Sequence, residues 1–195
     1  MPKIVDHEER KQHIAEATWR VITNYGVQGA SVRKIASEAG VSLGALRHYF
    51  STQQDLLEYA MNLVKERANA RIDAIIAGSS PPKQKIVDIL MELVPTDGSQ
   101  LVEMEVWLAF TFHRKFVSQD SFDALHDGIY NGMKNLIEYM AEQRLLKPGL
   151  DLDFETERLY ALVDGLALHA TLDPQRLGPK RVKDMIVGHM GSIWR

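Results

Sequence analysis

Apolar residues recur at a spacing of three and four along almost the whole chain. Ile14, Ala17, Val21 and Tyr25 form one such stripe. This spacing matches the 3.6-residue period of an α-helix, and no stretch shows the sustained period-two alternation of a half-buried strand. The pattern therefore predicts an all-α fold with about nine helices.

Turn-forming residues mark where these helices end. The clearest is Ala77–Pro82, which holds one Gly, two Ser and two Pro. We predict helices from just after Asp6 to Gly26, then at Ser31–Gly40, Ser42–Phe50, Gln53–Ile76, Lys83–Val94, Ser99–Val117, Gln119–Leu146, Phe154–Leu172 and Pro179–Ile193. We expect residues 1–52 to form a three-helix domain and residues 53–195 a larger helical domain.

Composition excludes several classes of function. The chain of 195 residues has no cysteine, which rules out disulfides, thiolate metal sites and a cysteine nucleophile. Its apolar stretches are far shorter than the roughly 20 residues of a membrane span, and no secretory signal pattern opens it, so we expect a cytoplasmic protein without a membrane partner.

Enzyme motifs are also missing. None of the seven histidines lies three or four residues from another, so no helical metal pair exists. Nucleophile-elbow, phosphate-loop and dinucleotide-binding glycine patterns are absent. We predict no enzyme activity, no cofactor and no metal.

Charge alone gives weak evidence for a nucleic-acid partner. The net charge is −3, but Met1–Thr52 carries seven basic and five acidic residues, so the first domain is mildly positive.

The segment from Val32 to Phe50 has the spacing of a helix-turn-helix. Ala36 is small where two steeply crossing helices touch, and Gly40 supplies the positive φ of the turn. Ser42 caps a second helix that buries Leu46 and spans about 12 Å, a length that suits the major groove. The alternative is a plain helical hairpin without a role in DNA binding.

The run Ser31–Phe50, followed by Ser-Thr-Gln-Gln-Asp-Leu-Leu57, resembles the DNA-binding domain of TetR-family repressors across about Ile14–Leu57. The segments Glu105–Phe110, Leu162–Leu168 and Leu172–Pro174 resemble the C-terminal domain of the branch that includes the choline-responsive repressor of glycine-betaine genes. The resemblance implies a homodimer, a double-stranded DNA operator with two half-sites, and a small-molecule pocket in the C-terminal helices.

Helical position assigns the DNA contacts. The residues that face the groove are Leu43, Gly44, Ala45 and His48. Leu43 and Ala45 are apolar and would therefore contact thymine methyl groups. Arg33 is the candidate for a bidentate contact to guanine, or else a solvated charge. The candidates for phosphate contacts are Ser31, Ser42, Arg47, Tyr49 and Gln53.

Some of these assignments remain open. His48 contacts either a base or a phosphate, and Tyr49 lies partly in the core. The family usually has Tyr where Arg47 stands and Lys where Gln53 stands. Because Gln53 lacks the positive charge of that lysine, we predict a shallow salt dependence of DNA binding.

The C-terminal helices supply a candidate ligand pocket. Aromatic and apolar side chains on two predicted helices would form its wall, and three polar side chains would anchor the ligand. The residues are Trp107, Phe110, Tyr130 and Met133, with His113, Asp164 and His169 as anchors. A cationic ligand would stack on Trp107 and Tyr130. The alternative is that this stripe is ordinary core.

Two late apolar stripes indicate a dimer interface. The first contains Ala161, Gly165, Leu168 and Leu172. The second contains Val182, Met185, Ile186, His189 and Met190. Four such helices from two subunits would form a bundle on a two-fold axis, unless both stripes pack inside one subunit.

These patterns together predict a transcriptional regulator, most simply a repressor. It would bind a near-palindromic operator as a homodimer and leave it when a small-molecule effector, still unidentified, binds. The alternative is an all-α small-molecule-binding or adaptor protein whose helix-turn-helix is vestigial.

Overall fold

The structure is a computed structural model that describes residues 7–118 and 123–195. Within these ranges the chain forms nine α-helices and no strand, which confirms the predicted all-α fold. The helices are α1 His7–Gly29, α2 Val32–Glu38, α3 Leu43–Tyr49, α4 Gln53–Ala77, α5 Pro82–Glu92, α6 Gly98–His113, α7 Asp123–Glu142, α8 Leu152–Leu172 and α9 Pro179–Ile193. A π-helical segment, Arg114–Ser118, directly follows α6.

Most helix boundaries lie within two residues of their predicted positions, and α9 coincides with its prediction. The largest differences are at the ends of α6 and α7, which lie at His113 and Glu142, four residues before the predicted Val117 and Leu146. Helix α1, which was predicted to end at Gly26, ends three residues later. Gly26 does break the helix, with φ 70° and ψ 170°, but helical structure resumes after it and continues to Gly29. The predicted start of the seventh helix, at Gln119, lies outside the described residues.

The chain divides into two compact units. The first contains the described residues up to Asn69 together with Glu105–Ser118. The second contains Ala70–Met104 and the described residues from 123 to Arg195. The predicted domain boundary after Thr52 lies inside the first unit, because that unit includes about five turns of α4, from Gln53 to Asn69.

The first unit is built around α1, α2, α3 and the first part of α4. Ile14, Ile35, Leu46 and Leu56 are fully buried there. The indole Nε1 of Trp19 donates a hydrogen bond to the carbonyl oxygen of Ala60 at 2.9 Å, which fixes α1 on α4. Such burial of large apolar side chains provides about 1.5–3 kcal/mol each.

The second unit has its own core. In it α7 packs on α8, and α9 packs on both α5 and α8. Leu90, Ile137, Leu159 and Ile186, one from each helix, are at most 1% exposed. No helix within the described part of the chain is both long enough and apolar enough to cross a lipid bilayer.

Candidate nucleic-acid interface

The turn between α2 and α3 has the predicted geometry. Gly40 adopts φ +65°, a left-handed conformation that glycine adopts without strain. The amide of Val41 donates to the carbonyl of Ala36 at 3.0 Å, and Ala36 is buried where the two helices meet. The sequence-predicted roles of Ala36 and Gly40 are confirmed.

Helix α3 presents one face outward. Ser42 caps it, since its Oγ accepts a hydrogen bond from the amide of Ala45 at 3.0 Å. Leu46 points into the core and is 1% exposed. The remaining side chains divide into two groups: Gly44, Ala45, Arg47 and His48 are exposed, and Leu43 and Tyr49 are half-buried. Every residue predicted to face the groove is therefore accessible.

The start of α2 lies on the surface as well. The Oγ of Ser31 accepts from the amide of Lys34 at 3.4 Å, so Ser31 caps this helix. Arg33 is exposed. The Nζ of Lys34 lies 4.2 Å from the ring centroid of Tyr25, within the range of a cation–π contact. Lys34 thus rests on a neighbouring helix, whereas Arg33 extends from the first turn of α2.

Gln53 has a structural contact that its position in sequence did not reveal. Its side chain is exposed, and its Nε2 donates to the carbonyl oxygen of Ala30 at 3.1 Å. This bond ties the first turn of α4 to the residue just before the cap of α2. The amide therefore holds the edge where phosphate contacts were predicted, although it adds no charge.

His7 is the residue that the sequence analysis missed. Its ring centroid lies 4.8 Å from that of Tyr49 and 6.2 Å from that of His48, so three aromatic rings cluster at the end of α3. No periodic signal connects positions this far apart in sequence. The start of α1 thus borders the face that carries the predicted DNA contacts.

The predicted pocket residues are divided between the two units. Trp107, Phe110 and His113 lie on the part of α6 in the first unit, and Phe110 is buried. The other four are in the second unit. There Met133 is core, Tyr130 stacks edge-on against Tyr160 at 5.7 Å, Asp164 is half-buried and His169 is exposed.

Comparisons with known proteins identify the family. Residues 14–60 match the model of bacterial regulatory proteins of the tetR family, and residues 82–195 match the model of the BetI-type transcriptional repressor C-terminal domain. The chain is 57% identical to the HTH-type transcriptional regulator PksA of Bacillus subtilis strain 168, over 99% of this chain and 94% of that protein. The chain belongs to the TetR family of transcriptional regulators.

One further match supports the BetI-type character of this TetR-family chain, and a second supports its fold. The HTH-type transcriptional regulator BetI of Proteus mirabilis strain HI4320 is 31% identical over 90% of this chain and 86% of that protein. A regulator from Saccharomonospora viridis, solved in complex with choline, has a TM-score of 0.82, covering 96% of this chain and 99% of that one. Its sequence identity is 22%, so it supports the fold alone.

The two predicted dimer stripes of this TetR-family chain differ in how far their side chains are exposed. On α8, Ala161 and Leu172 are exposed, and Gly165 and Leu168 are half-buried. On α9 the prediction needs correction for three side chains, because they pack fully inside the second unit: Val182, Ile186 and Met190 are each 0% exposed. Met185 is exposed and His189 half-buried, so they remain the predicted contacts on α9.

Proposed function

We propose that this TetR-family regulator is a cytoplasmic repressor. A homodimer binds a near-palindromic DNA operator through two copies of α3 and is released when a small-molecule effector binds the C-terminal region. The cytoplasmic location follows from the proposed binding to DNA, since the operator lies in the bacterial cytoplasm.

The observation that supports DNA binding most strongly is the exposed face of α3. Of its seven residues only Leu46 is buried, and Ser42 caps the start of the helix. Leu43 and Ala45 offer apolar surface to thymine methyl groups, and Arg33 lies at the start of the preceding helix. A rigid, outward helix with few charges reads bases by shape and apolar contact, while its flanks hold phosphates.

Dimerisation is supported by apolar surface on α8 and α9 that one chain leaves uncovered. Leu172 is 70% exposed and Met185 is 41% exposed. A two-fold axis brings the same patch from both subunits together and buries it. The two α3 helices would then lie about 34–36 Å apart, or at a multiple of that distance.

Release by an effector requires two states of the dimer. An effector can only shift the population towards the state that it binds more tightly. That state holds the two α3 helices at a separation that no longer fits successive major grooves.

Binding to the DNA that flanks its own gene tests the proposal. We expect wild type to shift this DNA at low and moderate salt, and unrelated DNA only at low salt. Arg33→Ala should weaken specific binding and relax one base position, with a cost of about 1–3 kcal/mol. Lys180→Ala, which removes an exposed positive charge from α9, is the matched control. Equal affinity for flanking and unrelated DNA would contradict the proposal.

The alternative is an all-α small-molecule-binding or adaptor protein with a vestigial helix-turn-helix. The mild charge of the first 52 residues and the uncharged Gln53 favour it. It predicts no sequence-specific shift at any salt concentration, so the same titration separates the two functions.

A further inference from the structure

Two positive side chains in the first unit are close enough to repel each other. Lys65 is on α4, and Arg114 is the first residue of the π-helical segment after α6. Both are half-buried. Burial lowers the pKa of Lys65, and the positive charge of Arg114 lowers it further. An anion bound near both groups would offset the repulsion between them.

The same face of α6 carries an indole and a buried hydroxyl. Trp107, Thr111 and Arg114 follow one another at intervals of four and three residues, the spacing of neighbours on one helix face. The Nζ of Lys65 lies 6.0 Å from the ring centroid of Trp107. The face of α6 that carries Trp107 is therefore the one that Lys65 approaches.

The buried hydroxyl group of Thr111 is a second, independent indication of a ligand. Its side chain is 7% exposed, and its Oγ1 has no hydrogen-bond partner among the described residues. Buried hydroxyl groups are nearly always hydrogen-bonded, so an unpartnered one needs an explanation. A ligand oxygen that accepts from Oγ1 satisfies it.

We propose that Lys65, Arg114 and Thr111 form a subsite for an anionic group of the effector, a carboxylate or a phosphate, with the indole of Trp107 beside it. The inference rests on the proposed function, since it names the chemical class of the effector. It departs from the cationic ligand that the resemblance to choline-responsive repressors raised for Trp107. Lys65 already places a cation beside that ring, and a second cation would be repelled by both Lys65 and Arg114.

The π-helical start at Arg114 fits this role. π-helical turns are rare and occur mostly at functional sites, because the wider turn changes the direction of the side chains that follow. Here the change begins at the residue that supplies the second positive charge.

Thermal melting and calorimetric titration with simple probes test the subsite. The probes are sodium benzoate and sodium phosphate, with choline chloride as the cationic counterpart, all at equal ionic strength. We expect the anions to raise the melting temperature of wild type and choline to leave it unchanged. Lys65→Gln and Arg114→Gln should each weaken anion binding by on the order of 10- to 100-fold, the loss expected for one charge-assisted hydrogen bond.

Lys83→Gln is the matched control. The Nζ of Lys83 lies 5.1 Å from the ring centroid of Trp194, so the variant removes a similar lysine–tryptophan contact elsewhere. It should bind the anions as wild type does.

Thr111→Val separates ligand binding from packing. Removal of an unpartnered buried hydroxyl should leave the melting temperature of the ligand-free protein unchanged or higher, while anion affinity falls. A purely structural threonine would lower the melting temperature and leave the affinity unchanged.

Three results would overturn the subsite: no shift with either anion, stabilisation by choline instead, or undiminished anion binding in both charge variants. Operator binding of wild type is measured separately. Its absence would refute the proposed function, whereas the anion subsite is judged by melting and titration alone.

Discussion

The guanidinium of Arg71 in α4 donates from Nη2 to Oε2 of Glu103 in α6 at 2.7 Å. Glu103 is only 7% exposed, and the same guanidinium donates from Nε to Glu92 of α5 at 2.7 Å. The hydrogen bond to Glu103 is the largest influence that raises the pKa of Arg71. One cation thus joins three helices within the second unit.

Arg71→Ala should destabilise the protein by about 3–5 kcal/mol, because it leaves the carboxylate of Glu103 buried without its charge partner. Urea unfolding measures the change. Arg176→Ala is the control, since that arginine forms an ion pair with Asp173 on the surface, where such pairs contribute about 0–1 kcal/mol. Equal losses in the two variants would show that the Arg71 cluster contributes no more than a surface pair.

Gly40→Ala should destabilise the protein by about 1–2 kcal/mol, because alanine is strained at φ +65°. The cost is conformational, since a Cβ at Gly40 meets no atom within 4 Å. Chemical unfolding checks it. No measurable loss would mean that the turn relaxes to another conformation.

Gly44→Ala should stabilise the protein, in contrast to Gly40→Ala. In α3 a Cβ meets only the Oγ of Ser42 at 3.9 Å, and alanine favours the helix by up to about 0.5–1 kcal/mol. DNA binding should nevertheless weaken, because the added methyl group stands on the face proposed to approach the bases. Unchanged operator affinity would contradict this close approach, whatever the change in stability.

Gln53→Lys should steepen the salt dependence of DNA binding. One additional phosphate contact changes the slope of log K against log salt by about −0.9. Titrations at several salt concentrations measure it, with Lys180→Ala on α9 as the control that changes a charge in the other unit. An unchanged slope would show that the lysine replaces the bond to Ala30 and does not reach a phosphate.

Acid should destabilise the protein through His189. Burial lowers the pKa of this imidazole, and Arg158 lowers it further. The unfolded chain therefore takes up the proton first, near pH 6.5. The stability that the neutral His189 contributes is complete above that pH and is lost as the pH falls through the folded pKa.

Melting temperatures between pH 7.5 and 5 test this prediction. His189→Gln should flatten the profile, and the exposed His169→Gln should not. Identical slopes in wild type and His189→Gln would assign the acid sensitivity to other groups.

Local chemistry made much of the fold predictable from sequence. Pro179 fixes the start of α9, Gly40 fixes the turn before α3, and Ser42 caps the helix after it; each acts through its own backbone or its nearest neighbours. The helix-turn-helix and its outward face followed from these signals and from the apolar period.

Contacts between distant positions were not predictable. Periodicity identified the apolar stripe of Val182, Ile186 and Met190 but not which surface covers it. These core residues of the second unit were therefore predicted as dimer contacts. Likewise no local signal places His7 beside Tyr49, or Lys65 beside Trp107. These contacts depend on how whole helices pack, and only the three-dimensional structure shows them.

Hydroxyl-radical footprinting on the DNA flanking the gene tests the central claim most directly. Two exposed α3 helices in a symmetric dimer predict two equivalent protected patches, centred about 34–36 Å apart or a multiple of that, within a near-palindrome. A single patch, or protection without sequence preference, would contradict the account.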